Sequence, residues 1–324
     1  MNKTVIGIDL GGTYIKAGLV DASGRVLVER RVPTPQSGQA AVLEALAEMG
    51  RQLRDEGVNR GDGCAAGLGL GTPGVVTPDE IRLAFNIPGW ERVPARRFLS
   101  QALGLPVVID NDANVCALAE YMFGAGRGAH SLAAFTIGTG VGGGIIVDGR
   151  VYQGFSGCAG ELGHITVEPE GEMCGCGRPG CVEAYASADA IARYVSRRLQ
   201  EGASSRLSEK TMRGEKVTSA DVDAAAREGD ELARAAIRRA GRYLGLAAAS
   251  VCNTLDPEVI VVGGGGAGFG EALLEPMREE MARRTYSAVI HTPEIRPAQL
   301  GYESGLVGAA CLALVELAHA EPAS

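Results

Sequence analysis

The strongest chemical signal in the chain is a set of one histidine and three cysteines, His164, Cys174, Cys176 and Cys181. Three thiolates and one imidazole form a tetrahedral ligand set typical of zinc, and the Cys-x-Cys-x4-Cys spacing can bring the sulfurs together. Structural buried cysteines are the alternative, but those belong in apolar elements, whereas these three lie among glycines and a proline. The pattern therefore predicts a zinc site.

Two carboxylates flank this cluster. Glu161 lies three residues before His164, and Glu183 lies two residues after Cys181. Carboxylates beside an imidazole accept hydrogen bonds and are suited to the recognition of sugar hydroxyls. Ordinary surface charge is the alternative, and spacing alone does not choose between the two interpretations.

Two short glycine turns each lie between apolar strands: Asp9-Leu-Gly-Gly-Thr13 and Gly138-Thr-Gly140. Glycines let backbone N–H groups approach a phosphate closely, and Asp9 is suited to hold Mg²⁺ through water. Each turn alone also fits a plain β-hairpin. Neither is a Walker loop or a dinucleotide fingerprint, because neither a Gly-Lys-Ser/Thr end nor a helix follows. Two turns in matched positions favour phosphate binding.

A third glycine run, Gly263–Gly266, follows an apolar strand and precedes a predicted helix that begins near Gly270. Such a run lets a nucleotide or its ribose lie against the backbone, although a flexible strand–helix connection is the alternative. The predicted nucleotide-binding residues are Asp9, Gly11, Gly12, Thr13, Gly138, Thr139, Gly140, Gly264 and Gly265.

The segment Asn111-Asp112-Ala-Asn114 closes a predicted strand and opens a predicted helix. Asp and Asn are good helix-capping residues, and capping alone explains the pattern. The functional alternative is that Asp112 acts as a general base, which accepts a proton from a substrate hydroxyl.

The glycine turns belong to a repeated plan, since "GGT…GLVDASGRV" returns as "GTG…GIIVDGRV". A chain of 324 residues exceeds one comfortable hydrophobic core, so about two domains are expected. The repeat predicts a duplicated two-domain α/β fold with a cleft between the copies. Helices are predicted over 39–53 and 305–320, and a buried strand over 259–262.

Composition excludes several classes of protein. Glycine accounts for 47 of the 324 residues, about twice the usual share. The net charge of −8 gives no general attraction to nucleic acid or anionic lipid. No apolar run approaches the 18 residues of a membrane span, and the N-terminus does not fit a signal peptide. Eight cysteines in a chain that is not exported argue against a disulfide framework. We therefore expect a cytoplasmic protein that binds neither nucleic acid nor membrane.

Taken together, these motifs resemble the ROK family (repressor, open reading frame, kinase) of sugar kinases, and within it the bacterial glucokinases. The matching segments are Asp9–Thr13, Leu70-Gly-Thr-Pro-Gly74, Asn86-Ile-Pro-Gly-Trp90, Asp110-Asn-Asp-Ala-Asn114, Thr136-Ile-Gly-Thr-Gly140, Glu161-Leu-Gly-His164 and Cys174-Gly-Cys-Gly-x-x-Gly-Cys-x-Glu183. They occur in family order and extend over nearly the whole chain.

The resemblance implies an actin-like, ribonuclease-H-like fold that binds Mg–ATP and sugar in the interdomain cleft. It implies that Asp112 takes the proton from the sugar 6-hydroxyl and that zinc orders the sugar site without activating water. The implied sugar contacts are Gly74, Asn86, Asn111, Asp112, Glu161, His164 and Glu183. Tyr14 departs from the small or polar residue that relatives usually carry at that position.

We expect residues 1–114 with the C-terminal helix 305–324 to form a smaller N-terminal domain. Residues 115–304 are expected to form a larger domain with the zinc loop and the third glycine run. The resemblance also implies a homodimer. Kinases for N-acetylmannosamine, fructose or allose are the main alternative. A sugar-sensing repressor is a remote one, because Asp9 leaves no room before it for a DNA-binding domain.

Overall fold

Short β-branched segments alternate with longer amphipathic ones and fold into a mixed α/β protein. The computed structural model describes residues 3–61, 63–84, 87, 89–286 and 290–320. The strands are β1 (Thr4–Leu10), β2 (Tyr14–Asp21), β3 (Val26–Pro33), β4 (Leu68–Thr72), β5 (Val75–Val76), β6 (Ile81–Leu83), β7 (Glu91–Val93), β8 (Val107–Asn111), β9 (Ser131–Ile137), β10 (Val141–Val147), β11 (Arg150–Val151), β12 (Val259–Gly263) and β13 (Glu294–Pro297). The helices are α1 (Gln39–Asn59), α2 (Ala95–Leu103), α3 (Asp112–Phe123), α4 (Glu183–Ala186), α5 (Ala188–Gln200), α6 (Ser208–Met212), α7 (Ser219–Arg227), α8 (Glu231–Leu255), α9 (Glu271–Arg284) and α10 (Ser304–Ala320).

Two five-stranded sheets share one strand plan. The first has the order β3-β2-β1-β4-β8, and the second has the order β11-β10-β9-β12-β13. In the first sheet β2 is antiparallel to β1, whereas β4 is parallel to β1 and β8 is parallel to β4. In the second sheet β12 is parallel to both β9 and β13. This common order confirms the predicted duplicated α/β fold.

Local sequence sets where several helices begin. Asn111, Ser187 and Asp230 each precede a helix and accept a hydrogen bond from its first-turn backbone. Thr218 and Asp221 form a capping box at the start of α7. These side chains satisfy N–H groups that have no partner within the helix, so each start is encoded next to the helix it begins.

Contacts divide the chain into two compact units. The first comprises Met1–His130, Gly144–Gly160 and Gln299–Ser324, and the second comprises Ser131–Gly143 and Glu161–Ala298. The first unit thus holds the chain on both sides of residue 114, and it takes in a later segment as well as the C-terminal helix. The reason is packing: α3 lies so close to α10 that a Cβ on Gly308 would be 1.9 Å from the Val115 carbonyl oxygen.

Helix α10 lies directly on the first sheet because glycines remove side chains from the contact. A Cβ on Gly7 would be 2.3 Å from the Leu306 carbonyl oxygen, and a Cβ on Gly69 would be 1.7 Å from that of Ala309. The opposite face carries the apolar core beneath α1 and α2, which includes Leu46 and Leu99. Both faces of the central strands are therefore buried.

Gly69→Ala is expected to lower the free energy of unfolding by about 3 kcal/mol, because the helix backbone must move away from the new methyl group. Urea unfolding followed by circular dichroism measures the change. Gly67→Ala is the matched control, since a Cβ there meets its nearest atom at 3.4 Å. Equal stability of the two variants would contradict this account of the contact.

Helix α10 differs from the expectation that no apolar run in the chain approaches the length of a membrane span. Residues Gly301–His319 are long and apolar enough to cross a membrane by length and composition, with a mean hydropathy of 1.3. Half of that segment is buried inside the protein, however. Its apolar surface is explained by packing on the first sheet and on α3.

Candidate functional site

Gly11, Gly12 and Thr13 connect β1 to β2 in a tight turn. The Gly11 N–H donates to the Tyr14 carbonyl oxygen over 3.0 Å. The Thr34 hydroxyl donates to the Gly11 carbonyl oxygen over 2.6 Å. The Thr34 backbone N–H donates to the Thr13 carbonyl oxygen over 2.9 Å. Within the described residues, the Gly12 and Thr13 N–H groups have no hydrogen-bond acceptor. The turn therefore offers open donors at its surface, as a phosphate site requires.

Asp9 lies one residue before the end of β1, with 21% of its side chain exposed. Burial raises the pKa of Asp9, and the Lys16 ammonium, 3.8 Å from Oδ2, opposes that rise. Gly305 closes one side of the carboxylate, because a Cβ there would be 2.6 Å from Oδ2. A partly exposed carboxylate at a strand end can contact a hydrated divalent cation.

Asn111 ties together two of the predicted sugar-contacting residues. Its Oδ1 accepts hydrogen bonds from the N–H groups of Ala113 and Asn114, at 2.8 and 3.4 Å. Its Nδ2 donates to the Gly74 carbonyl oxygen over 2.9 Å. Asn111 is thus the helix cap, and it also holds the Gly74 loop beside the start of α3.

Asp112 is the first residue of α3 and is half-buried. One carboxylate oxygen, Oδ1, accepts a hydrogen bond from the Ala113 N–H over 2.9 Å. The helix N-terminus stabilises negative charge at this position. Because Asn111 does the capping, Asp112 is not needed for it, and its placement suits a proton acceptor.

Asp110 is a buried member of the same motif to which the sequence assigned no role. Only 3% of the residue is exposed. Its carboxylate accepts hydrogen bonds from the Asn111 N–H at 2.7 Å, from Asn114 Nδ2 at 2.8 Å and from Gln153 Nε2 at 2.8 Å. Burial raises the pKa of Asp110, and these donors oppose the rise. Asp110 fixes the backbone that carries Asp112. Its place in the Asp110–Asn114 motif was the one sequence signal that could have pointed to this role.

The second glycine turn is held by Glu183. The Val141 N–H donates to Glu183 Oε2 over 3.0 Å, and a Cβ on Gly140 would be 2.4 Å from that oxygen. The Cys174 thiol lies 3.1 Å from the other oxygen, Oε1. Glu183 thus joins the glycine turn to the cysteine loop, a link of 42 residues along the chain that spacing did not predict.

The predicted metal ligands converge. One ligand atom from each of His164, Cys174, Cys176 and Cys181 lies within 4.8 Å of the others. The Cys176 and Cys181 sulfurs are 3.6 Å apart, and a tetrahedron with Zn–S bonds of about 2.3 Å has sulfurs at about 3.8 Å. Burial raises the pKa of the Cys174 and Cys181 thiols. The donor types and spacing therefore fit a tetrahedral zinc ion.

Glu161 lies beside His164, which is itself a member of this cluster. His164 Nδ1 is 3.7 Å from the Cys174 sulfur, while Nε2 is 3.9 Å from Glu161 Oε2. About a third of the His164 side chain and half of the Glu161 side chain are exposed. One ring nitrogen therefore points to the cluster, and the other lies beside a carboxylate that is open to ligand.

The third glycine run lies against the end of β9, next to the second turn. Gly264 adopts φ +76°, and a Cβ there would be 2.5 Å from the Ile137 carbonyl oxygen. Gly264 and Gly265 are exposed. Gly138 follows Ile137 directly, so the structure brings the second and third glycine segments together. The predicted sugar contact Asn86 lies outside the described residues.

Repeated sheets of this strand order, each with a glycine turn after its first strand, define the actin-like, ribonuclease-H-like class. Within that class, the chain belongs to the ROK family, whose model matches residues 5–316. The family and fold class predicted from the motifs are both confirmed.

Individual relatives match over nearly the full chain. A glucokinase of Halalkalibacterium halodurans is 38% identical over 312 residues, which are 95% of this chain and 94% of that protein. The solved ROK hexokinase from Thermus thermophilus is 39% identical with a TM-score of 0.81, covering 98% of this chain and 99% of that one. A ROK glucokinase from Streptomyces griseus, solved with glucose and AMPPNP, is 35% identical with a TM-score of 0.79, covering 96% and 99%.

Proposed function

We propose that this protein is a glucokinase that transfers the γ-phosphoryl group of Mg–ATP to the 6-hydroxyl of glucose. The observation that carries the proposal is the grouping of Glu161, His164 and Glu183 around the Cys3His cluster. Relatives that share the family and are named glucokinases support the choice of sugar.

In the proposed mechanism, Asp112 accepts the proton of the 6-hydroxyl as that oxygen attacks the γ-phosphorus in line. Its hydrogen bond from the Ala113 N–H fixes the carboxylate, and such general-base help contributes about 10²–10⁴ in rate. Asn111, Gly74 and Asn86 are proposed to contact the sugar. Asp110 acts as a positioning residue for this corner.

The glycine segments are proposed to bind the nucleotide. The open Gly12 and Thr13 N–H groups and the exposed Thr139 stabilise charge on the phosphoryl oxygens. Asp9 holds the hydrated Mg²⁺ that neutralises the phosphate chain. Exposed Gly264 and Gly265 offer backbone to the adenosine.

The Cys3His cluster is proposed to hold zinc in a structural role. The ligand loop carries Glu183 two residues beyond its last cysteine, and His164 is itself a ligand. His164 then has one ring nitrogen for the cluster and Nε2 for a sugar hydroxyl. Four protein ligands leave no open position, so the site orders the sugar contacts. Consistent with the sequence, we further propose a cytoplasmic homodimer.

ADP release with Mg–ATP is the first test, measured with glucose, N-acetylmannosamine, N-acetylglucosamine, fructose and allose on one sample assayed for zinc. We expect glucose to exceed every other sugar by at least about tenfold in kcat/KM, because each of the others replaces or reorients a hydroxyl with which the site would form a hydrogen bond. Another sugar ahead would replace glucose but keep the mechanism. No turnover with any sugar, in a sample that contains zinc, would contradict the kinase proposal and favour a sugar-sensing role.

A further inference from the structure

An arginine on β3 lies beside the first glycine turn and has no role so far. Arg31 is paired with Lys16 of β2, and Pro33 is paired with Tyr14, the residue directly after Thr13. The Arg31 guanidinium nevertheless lies over the Tyr14 ring, 3.7 Å from its centroid. The side chain therefore extends along the sheet from its own position toward the glycine turn.

In the part of the chain that the structure describes, Arg31 forms neither a hydrogen bond nor an ion pair. Its polar interaction there is the cation–π contact with the Tyr14 ring. The neighbouring cations differ. Arg30 forms an ion pair with Glu56, and Lys16 lies 3.8 Å from Asp9 Oδ2 and 3.4 Å from the centroid of the Tyr302 ring. A guanidinium has five N–H donors in a planar fork, so Arg31 offers an unused positive group.

The backbone of the adjacent glycine turn also offers hydrogen-bond donors and no open acceptors in the described residues. Its carbonyl oxygens are already bound, since Thr34 takes those of Gly11 and Thr13, and the Gln36 side chain donates to that of Gly12 over 3.3 Å. The open groups of the turn are N–H donors. A positive fork beside open backbone donors is complementary to the oxygens of a phosphate chain.

We infer that Arg31 is a contact for the phosphate chain of the phosphoryl donor and that Tyr14 is its positioning residue. The ligand class rests on the proposed function, because the donor is the nucleotide of that site. Stacking on Tyr14 restricts the long arginine side chain before the donor binds, which lowers the entropy lost on binding. This positioning of Arg31 would give a role to Tyr14, which stands where relatives usually carry a small or polar residue.

The test is the binding of Mg–AMPPNP without sugar, measured by calorimetry, together with separate KM values for ATP and glucose. Arg31→Ala is expected to weaken nucleotide binding about tenfold, because it removes hydrogen bonds to a charged group. Tyr14→Ala is expected to weaken it about threefold through loss of the stacking. Tyr14→Phe keeps the ring and should match the wild type. In all three variants the KM for glucose should stay within about twofold, since a tenfold change needs a lost contact.

Arg30→Ala is the matched control, since it removes an arginine next to Arg31 in the same strand that is engaged by Glu56. Equal AMPPNP binding by Arg31→Ala and Arg30→Ala, in a protein that phosphorylates glucose, would overturn this inference and leave the proposed function intact. Weaker AMPPNP binding by Arg31→Ala alone, in a protein inactive on every sugar, would support the inference and reject the proposed function.

Discussion

Asp112→Asn is expected to reduce kcat for glucose phosphorylation by at least about 10²-fold while glucose still binds. The asparagine amide is nearly isosteric and its oxygen can still accept the hydrogen bond from the Ala113 N–H. It cannot accept the proton of the attacking hydroxyl. Helix α3 keeps its cap in the variant because Asn111 provides it. The loss should therefore fall on kcat, with glucose affinity little changed.

Steady-state kinetics give kcat, and a direct glucose titration gives affinity. The single tryptophan, Trp90, is buried and lies four residues after Asn86, so its fluorescence is a natural probe for that titration. Asp148→Asn is a matched control, because Asp148 lies in the β10–β11 turn. If Asp112→Asn and Asp148→Asn turn over alike, Asp112 is not the base.

Cys176→Ser is expected to release the bound metal and to lower kcat/KM for glucose by about 10²-fold or more, since the sugar contacts depend on the metal loop. Cys176 is the informative choice among the three cysteines. It is exposed, whereas Cys174 and Cys181 are buried. Replacing Cys176 thus removes a ligand without opening a cavity in the core.

Metal content by inductively coupled plasma mass spectrometry is the direct measurement, with glucose kinetics on the same samples. We expect about one zinc per chain in the wild type, as for a four-ligand structural site, and little in the variant. Cys158→Ser is the control, because Cys158 is exposed but lies outside the cluster. Undiminished zinc and activity in Cys176→Ser would show that the cluster is not a metal site.

Sequence was most informative where the determining interactions are short-range. The glycine turns, the capped start of α3 and the Cys3His loop each depend on residues close together in the chain. Their spacing alone restricts the backbone. The family resemblance then supplied the family, the fold and a role for each of those residues. The family and the fold are confirmed, and the individual roles are proposals.

Long-range packing decided the rest. The Asp110 carboxylate meets Gln153 across 43 residues, and Glu183 meets the Val141 N–H across 42. Helix α3 belongs to the first compact unit because it packs closely on α10. The proposed phosphate contact of Arg31 depends on the packing of its side chain over the Tyr14 ring. No local pattern encodes such contacts, since each forms only when separate elements pack together and bury the groups that meet.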